Sequence, residues 1–226
     1  MYKNTKLLIW DIDGTLIQGR GIGRIAMDKA FFELYGIDSG FKGIEMAGRL
    51  DAAIVGDAFK LHGISDSDQN IFFSTYCRHL EYEVARLPGT IAAPGIIRLL
   101  ELLLNEKNFF SILGTGNIEK GARIKLEKEK MNRFFPTGGF GGSRLERWQI
   151  IQEAIHNAQD YFDMEYIPEN IYVIGDTPKD IECGKKLDIK SIAVATGMYS
   201  VQELQAYEPS YVFEDFTDTE SFLKIF

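Results

Sequence analysis

This chain of 226 residues predicts an α/β fold, a Rossmann-like doubly wound parallel sheet with an inserted all-helical module. Three observations carry that prediction. The run Lys6–Ile12 (KLLIWDI) is almost continuously apolar, three helical patterns then follow one another with no strand between them, and beyond Pro88 strand and helix patterns alternate to the end. An unbroken apolar run suits a strand buried on both faces. Alternation implies parallel strands joined by right-handed helical crossovers that cover both faces of a sheet. The expected division is a core made of residues 1–16 and 90–226 and a helical cap of residues 17–89.

Each element has its own local cause. After the first strand, Ile25, Ala26, Ala30, Phe31 and Leu34 mark a helix over Ile22–Tyr35 that Gly36 stops. Asp51 is placed to cap a second helix, Ala52–Leu61, closed by Gly63, and Ser67 to cap a third that runs to about Leu87 before Pro88. Pro94 opens a helix through Leu104, Asn108–Leu113 reads as a strand, and Ile118–Glu129 as the next helix. A short strand at Thr137–Phe140, a helix over Leu145–Ala158, and a strand at Ile171–Ile174 follow. A short helix from Pro178, strands at Ser191–Ala195 and Tyr211–Phe213, and a last helix complete the pattern.

Composition limits what such a fold is for. A chain that is 45% hydrophobic and 26% charged can bury one substantial core and a small inserted module. The formal charge of −8 argues against a broad basic surface for nucleic acid, and an acidic protein that binds an anion needs a metal or a few placed cations. Cys77 and Cys183 have no metal-ligand spacing and make no disulfide framework, and His62, His79 and His156 form no metal-binding pair. No stretch has the length and apolarity of a signal peptide or membrane span. The expectation is a cytoplasmic monomer with no nucleic-acid or membrane partner.

In open α/β sheets ligands bind beyond the carboxyl ends of the strands, so the residues that follow each strand matter most. The first strand runs into Asp11-Ile12-Asp13-Gly14-Thr15-Leu16. Strand side chains alternate, so Asp11 and Asp13 are expected on one side of the strand end, where two carboxylates need a cation between them or a proton on one. Magnesium, which favours oxygen ligands, suits the first case and a general acid suits the second. The second segment of interest, after the strand at 108–113, is Gly114-Thr115-Gly116-Asn117, whose backbone N–H groups can meet phosphate oxygens or whose Thr115 or Asn117 can cap the next helix. After Ile171–Ile174 comes Gly175-Asp176-Thr177-Pro178-Lys179-Asp180. Asp176 ends a buried strand and so needs a partner, and Asp180 falls in the first turn of a helix.

Together, DIDGTL at Asp11–Leu16, TGN at Thr115–Asn117 and GDTPKD at Gly175–Asp180 resemble the haloacid-dehalogenase (HAD) superfamily. The resemblance is to its phosphoglycolate-phosphatase-like and β-phosphoglucomutase-like members with a helical cap, and it spans essentially the whole chain. It implies a Mg²⁺-dependent phosphatase acting on a small phosphorylated metabolite. Asp11 would be the nucleophile, Asp13 the general acid/base, and Asp11, Asp13 and Asp176 the metal ligands with Asp180 in support. Thr115, Gly116 and Asn117 would bind phosphate. The family's usual lysine before the last motif is missing, since no lysine lies between Lys130 and Lys179. Arg144 and Arg147 are the replacements on offer, and Arg147 fits the pattern better. In the cap, Arg49 is expected either to contact substrate or to serve as a hinge or salt-bridge residue.

Rival readings differ in what they need. A dehalogenase needs neither Asp13 nor a metal, whereas a phosphomutase would share the aspartyl-phosphate and differ only in where the phosphoryl group goes. A dinucleotide-binding module is suggested by Gly21-Ile22-Gly23-Arg24-Ile25-Ala26, but that fingerprint should follow its strand directly. A phospho-acceptor signalling domain would use an acidic Mg²⁺ pocket without a helical insertion.

Overall fold

The computed structural model describes residues 5–19, 21–65, 69–142 and 146–226. Its centre is a six-stranded, wholly parallel sheet of β1 (Lys6–Trp10), β2 (Phe109–Thr115), β3 (Gly138–Phe140), β4 (Ile171–Gly175), β5 (Lys190–Val194) and β6 (Tyr211–Phe213). The strand order is β3-β2-β1-β4-β5-β6, so the chain works outward from β1 to one edge and then returns to fill the other. That reversal lies beside β1 and makes its carboxyl end the natural binding crevice.

Period-two alternation along β1 explains the two layers. Leu8 and Trp10 join one apolar cluster with α4 (Ile96–Asn105), α5 (Glu119–Glu127) and the C-terminal aromatics Phe216 and Phe222. Leu7 and Ile9 point the other way, against Ile151 and Ala154 of α6 (Arg147–Phe162) and Cys183 of α7 (Pro178–Leu187). These four side chains of β1 are fully buried, which is why the strand had to read as apolar beyond Lys6.

Between β1 and α4 lie α1 (Ile22–Tyr35), α2 (Asp51–His62) and α3 (Gln69–Arg86). They bury their own cluster, in which Phe31, Phe41, Phe59 and Phe72 meet at tilted and edge-on angles. The backbone leaves and rejoins the sheet through adjacent segments. Gln18 N donates to Ile91 O at 2.7 Å, Ala93 N donates to Leu16 O at 3.0 Å, and Ile17 bridges Ala92 antiparallel.

Several expected boundaries move. β1 ends at Trp10, not Ile12, because Asp11 begins the turn that Gly14 allows with its φ of +85°. Asp51 is not an N-cap: Leu50 holds that position, and Asp51, the first helical residue, turns its side chain away from its own helix. The helix expected over Leu145–Ala158 starts at Arg147 and runs on to Phe162, and the one expected from Pro94 starts at Ile96 because Gly95 takes the left-handed turn before it. Two short helices complete the C-terminal part, α8 (Val201–Gln205), which the pattern did not suggest, and α9 (Thr219–Leu223). Ser67 and Arg144 lie outside the described residues. The Gly21–Ala26 string opens α1 in the helical insertion, away from any strand end. No described helix is long and apolar enough to cross a membrane.

Candidate active site

Strands β1 and β4 end side by side, with Trp10 in register with Ile174. The next residue, Asp11, continues the ladder by donating its N–H to Ile174 O at 2.9 Å. Asp176 follows β4, and Asp180 stands in the first turn of α7. Carboxylate oxygens of Asp11, Asp176 and Asp180 all lie within 4.8 Å of one another, and the three residues are buried. Burial, opposed by Arg147 and aided by Asp180 and Asp13, raises the Asp11 carboxyl to about 6. Burial and then repulsion from Asp11 and Asp180 raise Asp176 to about 8.

Arg147 is the cation built against this group. Its Nη2 is 3.1 Å from Asp11 Oδ1 and 2.6 Å from Asp180 Oδ1, and its Nε donates to the same Asp180 oxygen at 3.0 Å. A cation in the first turn opposes the helix dipole, so its place rests on those two carboxylates. Asp180 also closes a capping box, accepting from Thr177 N and Oγ1 at 3.2 and 2.7 Å. Thr15 Oγ1 donates to Asp176 Oδ1 at 3.1 Å. Glycine is required around Asp176: a Cβ at Gly197 would lie 1.7 Å, and one at Gly14 2.3 Å, from Asp176 Oδ2. Three buried carboxylates facing one guanidinium leave surplus negative charge on hard oxygen donors, a set that fits a divalent cation such as Mg²⁺.

Asp13 faces different partners. Its side chain is 47% exposed, and Oδ2 accepts from Lys125 Nζ at 2.5 Å and Asn117 Nδ2 at 2.8 Å. Lys125 also donates to Asn117 Oδ1 at 2.6 Å, and Asn117 Nδ2 reaches Thr115 Oγ1 at 2.8 Å. The cavity walls push the Asp13 carboxyl up, but Lys125, then Asn117, outweigh them and hold it below the usual carboxylate range. Asp11 and Asp13 therefore share a turn and not a strand face. The amide hydrogens of Asn117 go to Asp13 and Thr115. Lys125 escaped the sequence reading, although a signal was there: Asn117, Gly121 and Lys125 recur every four residues, so they stack along one side of α5 with no side chain between the outer two.

The inserted helices close over this edge. Asp51 N donates to Gly116 O at 2.7 Å, Ala52 N to Gly141 O at 3.2 Å, and Ile118 N to Asp51 Oδ2 at 2.9 Å. Asp51 is buried, which raises its carboxyl to about 6 against the pull of Lys125. A Cβ on Gly116 would come within 2.2 Å of Arg49 O. The seam borders an open cavity of about 520 Å³ that Asp11, Asp13, Asp176 and Arg147 line from the sheet side and Met27, Arg49 and Tyr76 from the insertion. Arg49 lines it with its guanidinium engaged, since Nη2 contacts Asp57 Oδ2 at 2.6 Å and Nη1 donates to Glu45 O at 3.1 Å.

Comparison with known proteins agrees with this fold. Residues 149–219 match a family model described as HAD-hydrolase-like. The chain is 22% identical to the pyrophosphatase PpaX of Oceanobacillus iheyensis over 216 residues, 94% of each protein. Among solved structures, a hydrolase from Pseudomonas syringae superimposes with a TM-score of 0.70 at 20% identity, covering 98% of this chain and 99% of the other. A predicted phosphoglycolate phosphatase from Haemophilus somnus gives 0.70 at 16% identity with the same coverage. At these identities the structural likeness establishes the fold.

Proposed function

We propose that the chain is a haloacid-dehalogenase-like hydrolase and, within that family, a Mg²⁺-dependent phosphatase that hydrolyses a small phosphomonoester through an aspartyl-phosphate on Asp11. The observation that carries this reading is the trio of buried carboxylates, Asp11, Asp176 and Asp180, packed around one arginine beside the cavity between sheet and insertion.

Each residue then has a task. An Asp11 oxygen bonds to phosphorus as the ester P–O bond breaks, and the departing oxygen takes a proton from Asp13. Asp13, now a carboxylate, removes a proton from water, whose oxygen attacks phosphorus. The bond to Asp11 breaks and inorganic phosphate leaves. Two displacements replace one harder one. Thr115, the Gly116 N–H and Arg147 grip the other phosphoryl oxygens, and Asn117 serves by holding Asp13. A divalent cation held by Asp11, Asp176 and the Asp13 carbonyl, with Asp180 in support, would offset the repulsion between a carboxylate nucleophile and a phosphate dianion. The Lys125 contact favours the Asp13 carboxylate, the form the water step needs. The inserted helices act as a cap that excludes water, with Arg49 at its rim.

The test is release of inorganic phosphate from p-nitrophenyl phosphate and a panel of esters that includes phosphoglycolate, alongside pyrophosphate. Turnover is expected with Mg²⁺ and is expected to vanish in EDTA; full turnover in EDTA would overturn the reading.

A further inference from the structure

Two hydrogen-bond donors in the cavity remain unspent by this chemistry. Tyr76, on α3, is fully buried and lines the cavity, and its Oη has no partner among the described residues. A buried hydroxyl without an acceptor is destabilising, so its retention asks for a reason. Lys125, 4% exposed, has three N–H donors, of which Asp13 and Asn117 take two. Both atoms border the same space: a Cβ on Gly23 would lie 3.2 Å from Lys125 Nζ and 3.7 Å from Tyr76 Oη.

We propose that Tyr76 and Lys125 form a subsite for the alcohol portion of the substrate, which takes a neutral hydroxyl carried one or two carbons from the ester oxygen. The inference rests on the phosphatase reading, which sets Asp13 against the ester oxygen. Lys125 Nζ is 2.5 Å from Asp13 Oδ2, so an acceptor on Lys125 sits three hydrogen bonds, at most about 8 Å along the chain of contacts, from that ester oxygen. Only a nearby substituent meets both. Charge selects the hydroxyl. Arg24 faces Asp28 and donates to Phe41 O, Arg49 faces Asp57, and Lys125 lies between Asp13 and the field of Asp51. Among the described residues, each cation lining the insertion side already has a carboxylate, and a second anion on the substrate would meet none unspent.

Calorimetric titration of the whole protein with Mg²⁺ tests this with non-hydrolysable ligands: propylphosphonate, 3-hydroxypropylphosphonate and 3-phosphonopropionate. The hydroxylated ligand should bind tightest, and Tyr76→Phe, which keeps the ring, should cut its advantage over propylphosphonate about five-fold, the worth of one hydrogen bond. The variant should melt no lower than the wild type. An advantage that survives in Tyr76→Phe, tightest binding by the carboxylated ligand, or a lower melting temperature would each overturn the subsite. If inorganic phosphate and all three phosphonates fail to bind, the phosphatase reading itself falls; if phosphate binds and the ratio does not move, only the subsite does.

Discussion

Lys125 and Arg147 each hold one carboxylate of the Asp11–Asp13 turn, and the two cations do different work. Replacing Lys125 with Met frees Asp13 to wander. We expect kcat/KM for an alkyl phosphate, whose alcohol needs a proton to leave, to fall at least about ten-fold further than for p-nitrophenyl phosphate, whose phenolate does not. Equal losses on both esters would reduce Lys125 to a packing role. Arg147→Met instead strands Asp11 and Asp180 among buried acids. Removing one partner from a buried ionic cluster costs about 3–5 kcal/mol, so urea unfolding in EDTA should show a drop of that order, partly restored by Mg²⁺. Asp11→Asn should abolish turnover and leave the circular dichroism spectrum and cooperative melting intact; wild-type-like turnover would remove the nucleophile assignment.

At the scale of elements, the turn before α5 and the loop before α2 approach closely. A Gly116→Ala methyl would sit 2.2 Å from Arg49 O, while β2 and α5 have no such obstacle to forming. The variant should fold, lose most of its activity, and scatter X-rays with a larger radius of gyration than the wild type; an unchanged radius and turnover would show that the seam does not need to close this tightly. The same elements show what a sequence can disclose. β1, β4 and the Asp176-Thr177-Pro178 turn were legible because burial on both faces leaves no choice but apolar residues, and because a carboxylate at the end of such a run has no bland explanation. Lys125 was hidden, since a lysine just before a run of EKEK on a polar helix looks like solvated charge until the chain brings Asp13 to it. Asp51 was hidden for a related reason: an acid at the start of a helix looks like a cap, and only the docking of α2 on Ile118 gives its carboxylate another donor.

For the molecule as a whole, the carboxylate cluster links stability, pH and metal. Asp176 and Asp11 are raised to about 8 and 6 in the folded protein, above the ordinary aspartate value near 4 of an unfolded chain. The folded state then binds more protons than the unfolded one between those limits, so metal-free stability is full below about pH 4 and is lost as pH rises toward 8. Each pH unit over which one proton separates the states is worth about 1.4 kcal/mol. Mg²⁺ should reverse the trend by binding the deprotonated cluster. The rise in melting temperature on adding Mg²⁺ should therefore grow from pH 5 to pH 8, and a rise that shrinks over that range would contradict the assignment of these acids to a cation.

The paired segments beside β1 carry one more consequence. Because Leu16–Gln18 and Ile91–Ala93 run together as a short two-ply ribbon, the chain joins everything they enclose to the sheet at one spot; that piece has a largely separate apolar centre and otherwise docks through the seam at Gly116, Ile118 and Gly141. Such a piece is portable. Grafting the corresponding helices of a relative onto this ribbon should yield a folded chimera whose ester preference follows the donor while the chemistry below is undisturbed.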